Sequence, residues 1–141
     1  MSNIKWARVV LGIVLAIIIA LAVPILYVVV RMVIIGFQGG SPDAEAQKEV
    51  VLSTSYAVVA LVAAVLGGFL GGRLPARKAE GSYLLNGLLV GLGTAILIAV
   101  WTLVQSGSLS LGTLLHAAMA IGGGALGGWV GGRTAEAEAY D

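Results

Sequence analysis

The sequence predicts an all-α integral membrane bundle of four transmembrane helices, and three observations carry that prediction. The 141-residue chain is 59% hydrophobic and only 11% charged, against about 25% charged residues in an ordinary soluble domain. Its apolar residues are gathered into four long runs at about 9–31, 50–72, 83–104 and 111–131. Each run supplies the roughly 20 residues that a helix needs to cross a ~30 Å hydrocarbon core. None shows the period-2 alternation of a barrel strand, and a spanning backbone must otherwise satisfy its own hydrogen bonds within a helix. Residues 1–141 therefore read as one membrane domain.

Span 1, "VVLGIVLAIIIALAVPILYVVV", runs from 9 to 30 without a charge and closes at Arg31. Its "ALA" at 20–22 resembles a signal-peptidase site. Pro24 follows at once, however, and cleavage would leave too short an apolar piece to span, so a retained and slightly overlong helix is expected. Pro24 is a candidate kink. The loop "QGGSPDAEAQKE" leads to span 2, "RLPARKAEGS" links spans 2 and 3, and "QSGSLSLG" links spans 3 and 4. An acidic tail, 133–141, ends the chain as a solvated segment.

Basic residues set the orientation. Lys5, Arg8, Arg73, Arg77, Lys78 and Arg133 fall on one side of a four-span threading, and only Arg31 and Lys48 on the other. Both termini are thus expected in the cytoplasm, with the protein in the cytoplasmic membrane.

The glycines dictate how the spans meet. "LGGFLGGR" at 66–73 returns as "LGGWVGGR" at 126–133, with six identities in eight positions. Lipid tails are as apolar as leucine, so helices in a bilayer associate through close packing that small residues allow. Span 2 carries Gly67 and Gly71 on one ridge beside Gly68 and Gly72 on the next. Span 4 carries Gly123, Gly127 and Gly131 beside Gly124, Gly128 and Gly132, and span 3 offers Gly87 and Gly91. Two adjacent smooth ridges allow one helix to contact two neighbours. Spans 2, 3 and 4 are therefore expected to form the tight part of the bundle. Span 1, with Gly12 as its one glycine and a large aliphatic surface, is expected to pack more loosely. The duplication is compatible with two parallel helical hairpins related by an axis along the membrane normal. A phosphate-cradling loop is excluded, since no strand precedes the glycines and no lysine follows them.

Trp6, Arg73, Trp129 and Arg133 are expected to act as interface anchors, the arginines meeting helix C-termini and headgroups. On the other side, Arg31, Ser53, Tyr56 and His116 would lie at similar depth, with Ser55, Trp101 and Gln105 near them. They are the candidate lining of an outward-facing polar pocket. The bland reading is interfacial aromatics, a snorkelling arginine and hydroxyls bonded to their own helices. Asn86 is expected to join two helices by a hydrogen bond.

No Asp or Glu lies inside any span, which removes the membrane carboxylate that a proton-coupled exporter of this size needs. Cysteine is absent, and a single histidine is a poor start for a metal site. No catalytic residue, cofactor or metal is expected, and the chain does not read as an enzyme. Its partners are expected to be the lipid bilayer and itself or another membrane protein, with no nucleic acid. A structural or accessory helix-packing subunit is the leading reading. A small transporter or channel built around His116 is the alternative.

The stretch "LGGFLGGRLPARKAEGSYLLNGLLVGL" at 66–92, with "GGGALGGWVGG" at 122–132, resembles a family of small uncharacterised four-span bacterial membrane proteins. The likeness covers about residues 60–132. It implies a glycine-arginine end to span 2, a short basic turn and a glycine cluster in span 4, and it brings no activity or cofactor. Asn86 stands where the family often has histidine.

Overall fold

A computed structural model describes residue 4, residues 6–76 and residues 82–138, the last four by their backbone alone. Five helices follow one another: α1 (Trp6–Phe37), α2 (Ala44–Leu52), α3 (Thr54–Ala76), α4 (Tyr83–Ser106) and α5 (Leu111–Glu138). Among the described residues there is no strand. Helices α1, α3, α4 and α5 are each long and apolar enough to cross a membrane. They are the four expected spans, with α1 beginning earlier and ending later than its apolar run.

Helix α2 is a departure from the sequence reading, which placed its residues in the loop and at the start of span 2. Asp43 caps it, its Oδ1 accepting the N–H groups of Glu45 at 3.1 Å and Ala46 at 2.9 Å. That satisfies two of the donors every helix N-terminus leaves open. Ser53 then breaks the chain between α2 and α3. Its backbone is extended at φ −71° and ψ 147°. Its Oγ donates to Val50 O at 2.6 Å and accepts Tyr56 N–H at 3.2 Å, so one hydroxyl closes one helix and opens the next. Span 2 consequently starts at Thr54 rather than near residue 50.

The most extensive packing is α3 on α5, followed by α4 on α5 and α1 on α3. Helices α3 and α4 meet less extensively, α1 and α4 less again, and among the described residues α1 and α5 do not pack on each other. In cross-section the order is α1, α3, α5, α4, a rhombus whose short diagonal joins α3 and α4. The chain neighbours α3 and α4 are therefore not the closest pair; α3 lies instead beside α5, which runs in the same direction.

The glycines explain this order. A Cβ on Gly67 would lie 2.6 Å from Ala16 O, and one on Gly12 would lie 2.5 Å from Gly71 O. That ridge of α3 belongs to α1. A Cβ on Gly68 would lie 2.5 Å from Ala120 O, and one on Gly72 would reach Gly124 O, so the adjacent ridge belongs to α5. On α5, Gly123, Gly127 and Gly131 lie against the backbone of Val65, Phe69 and Arg73, while Gly124 and Gly128 lie against Gly87, Gly91 and Tyr83 of α4. Each doubled-glycine helix thus gives one ridge to each of two neighbours. In these approaches a carbonyl oxygen faces a glycine Cα, the geometry of weak Cα–H···O contacts of about 0.5–1 kcal/mol each.

Helix α1 is the least buried of the four spans, as expected, but it makes one close approach: Gly12 and Ala16, four residues apart, bring its backbone against Gly71 and Gly67 as closely as α5 approaches α3. Val9, Ala16 and Val90 form a buried cluster beside that contact, joined by Ile13 and Leu89. Yet only Val9, Gly12, Ala16 and Pro24 of its 32 residues are buried. At 1.5 Å per residue α1 is about 48 Å long and the 23-residue α3 about 35 Å. The apolar stretch toward Phe37, itself 89% exposed, is the far end of this longer helix.

Candidate functional site: two grooves at the basic end

Arg8, Arg73 and Arg133 mark one end of the bundle, where α1 begins and α3 and α5 finish. Lys5, Arg77 and Lys78, which share the expected basic side, lie outside the described residues, as do the last three residues of the acidic tail.

The four residues expected to line a polar pocket at the opposite end are not gathered into one. Arg31 is exposed on α1 and His116 is on α5, two helices that do not pack backbone against backbone among the described residues. His116 Nδ1 lies 2.9 Å from Gly112 O, one turn back in its own helix. Ser53 is engaged in the α2–α3 junction. Tyr56 packs its ring against Tyr27, with centroids 6.4 Å apart and planes at 50°. Local bonding and ring contact hold Ser53, Tyr56 and His116 to their own helices or an immediate neighbour, while Arg31 stands exposed. Among the described residues no three His, Asp or Glu side chains lie close enough to hold a metal ion.

Two buried polar side chains of α4 bond within their own helix. Asn86 is fully buried and its Nδ2 donates to Ser82 O at 2.8 Å. Thr94, 2% exposed, donates to Val90 O at 2.9 Å. Both bonds return to the preceding turn, as hydroxyl and amide side chains commonly do in helices.

Two grooves lie at the basic end instead. One of about 270 Å³ runs between α1 and α3, lined by Leu15, Ile19, Leu70, Arg73 and Leu74. Arg73 is half-buried there, and its Nε is shielded from solvent without a hydrogen bond among the described residues. The larger, of about 540 Å³, is an open groove between the start of α4 and the end of α5. Ser82, Tyr83, Leu84, Leu85 and Leu88 form one wall, and Trp129, Gly132 and Arg133 the other. Glycine makes the second wall possible, because a Cβ on Gly132 would run into the Tyr83 ring.

Arg133 is placed by the direction in which helical side chains lean. They point back toward the helix N-terminus, which for α5 is the far end of the bundle. The guanidinium accordingly folds over the preceding turn and rests 4.0 Å from the centroid of the Trp129 ring, a cation–π contact. Of the expected anchors, Arg133 and Trp129 thus form one unit at the groove's lip, Arg73 sits in the smaller groove, and Trp6 stands 63% exposed at the start of α1. Ser82, Tyr83, Leu84, Leu85 and Leu88 were not singled out from the sequence. The four-residue spacing of Trp129 and Arg133 was the available signal for one wall; the other depends on how α4 docks.

Four apolar spans around a glycine-packed interior define a multi-pass integral membrane protein. The chain matches no protein-family model, no curated protein and no solved structure.

Proposed function

We propose that the protein is a structural or accessory subunit, a preassembled helix-packing module that works within a homo- or hetero-oligomeric complex of the cytoplasmic membrane, its termini on the cytoplasmic side. The observation that carries this reading is the contrast between the two sides of the bundle. Inside, among the described residues, backbone lies against backbone along both ridges of α3 and α5, so these helices are filled against their neighbours. Outside, α1 presents an aliphatic face from Val10 through Val33, with Leu21, Ile25 and Leu26 each about 60% exposed. The glycine ridges are used within the chain, so association with another protein falls to that exterior. The resemblance of residues 60–132 to small four-span bacterial membrane proteins belongs to the same proposal.

The test is extraction of the full-length protein into nanodiscs from its native membrane, followed by native mass spectrometry. A partner or a second copy at fixed stoichiometry is the expected result. A lone chain, recovered across several gentle extraction conditions, would overturn the reading.

A further inference from the structure

We propose that the groove between α4 and α5 is a binding site for one anionic phospholipid, with Arg133 holding the headgroup phosphate and Leu84, Leu85 and Leu88 bedding the upper acyl chain. The groove has the two-part chemistry of such a molecule. Its floor and walls are leucine and the Trp129 ring, and its volume of about 540 Å³ falls within the range of small-ligand sites. Among the described residues its lip carries one cation, Arg133. It lies at an end of the membrane-spanning segments, the depth at which headgroups and the first chain carbons meet protein.

Arg133 is prepared for this role. Stacking on Trp129 removes much of the side-chain freedom that an exposed arginine would lose on binding, which is how preorganisation strengthens a contact. The contact to Trp129 is made through the ring face, and among the residues whose side chains are described the Arg133 side chain makes no ion pair or hydrogen bond. Its N–H donors fit the paired oxygens of a phosphate. Ser82 and Tyr83 supply hydroxyls across the groove, and the Ser82 side chain is not used to cap α4. The leucines opposite are well exposed to a ligand, Leu84 at 53% and Leu85 at 42%. The floor is permanent, since the Gly132–Tyr83 and Gly128–Tyr83 approaches set the separation of the two walls.

The site is tested on the full-length protein in detergent micelles by native mass spectrometry, titrating dioleoyl phosphatidylglycerol against dioleoyl phosphatidylcholine. One phosphatidylglycerol per chain is expected to be retained at least tenfold more tightly than phosphatidylcholine. Arg133→Gln should abolish that preference, while Arg8→Gln, which removes a charge at the same end, should leave it. Leu88→Trp should fill the groove and weaken both lipids with Arg133 still present. Arg133 is exposed, so its variant keeps the fold, and unchanged elution and far-ultraviolet circular dichroism verify this. Equal losses from Arg133→Gln and Arg8→Gln would reduce the site to diffuse charge and overturn the proposal. So would displacement of the lipid by millimolar inorganic phosphate, which would make the groove an anion site and not a lipid site.

Discussion

Gly127→Ala, compared with Gly122→Ala five residues away, isolates the role of backbone contact in this bundle. A Cβ at Gly127 would overlap Phe69 O and lie 2.8 Å from Phe69 C and 2.9 Å from its Cα. All three atoms are backbone, so no side chain can swing aside and α3 must move away from α5. A displacement of roughly 1 Å forfeits between a quarter and a half of the dispersion energy of each contact it opens. Overpacking of this kind costs typically 1–3 kcal/mol, and a lost Cα–H···O contact adds about 0.5–1 kcal/mol. Alanine's better helix propensity returns about 1 kcal/mol. The net expectation for Gly127→Ala is a loss of about 0.5–3 kcal/mol. Gly122 has no atom within 4 Å of its would-be Cβ, so Gly122→Ala keeps the propensity gain alone, up to about 1 kcal/mol. Titration with sodium dodecyl sulfate in mixed micelles, read by tryptophan fluorescence, measures both. If Gly127→Ala proves as stable as Gly122→Ala, the α3–α5 contact is not closed by backbone approach and the packing argument fails.

Other substitutions probe separate elements. Gly93→Ala places its Cβ on Ile13 Cδ1, the free end of a flexible side chain; a rotamer change absorbs it, and the same titration should place it within about 1 kcal/mol of wild type. Gly12→Val should split α1 from α3 at Gly71, with a loss of about 2 kcal/mol or more and raised protease sensitivity of α1. Asn86→Leu strips a fully buried amide from its bond to Ser82 O and should destabilise the bundle by roughly 1–3 kcal/mol. Asp43→Ala uncaps α2 by about 1 kcal/mol, and hydrogen exchange at residues 45–49 should quicken while α3 stays protected.

What the sequence disclosed followed the range of each interaction. The four spans were legible because an uninterrupted apolar run is a local property, and so were the two ridges of α3 and α5, which are i, i+4 patterns. Which neighbour each ridge meets was not legible, since Gly68 and Ala120 are brought together only by the docking of whole helices. The close approach of α1 was hidden for a different reason. Its small-residue pair, Gly12 and Ala16, is one glycine in a long aliphatic run, and the larger side chains around it masked the spacing. Helix α2 went unread because Asp43 and Ser53 are turn residues as much as caps, and the apolar "VVL" before Ser53 merged with the span that follows. At the candidate site, Trp129 and Arg133 could be placed at an interface from their position at the repeat's end. The leucine wall opposite them comes from a helix some forty residues away in the chain.

The order of packing also bears on the order of synthesis. Domains assemble from the N-terminal side as the chain emerges, and here α1 and α3 make one of the three extensive contacts before α4 exists. Helix α4 then enters with its main partner still unmade, and α3 waits with Gly68 and Gly72 uncovered. Both vacancies are filled by α5, which docks on α3 and α4 together. The fourth span is thus the keystone, and a chain halted before Leu111 would hold a finished pair beside a third helix that has only a diagonal and a minor contact to retain it in place.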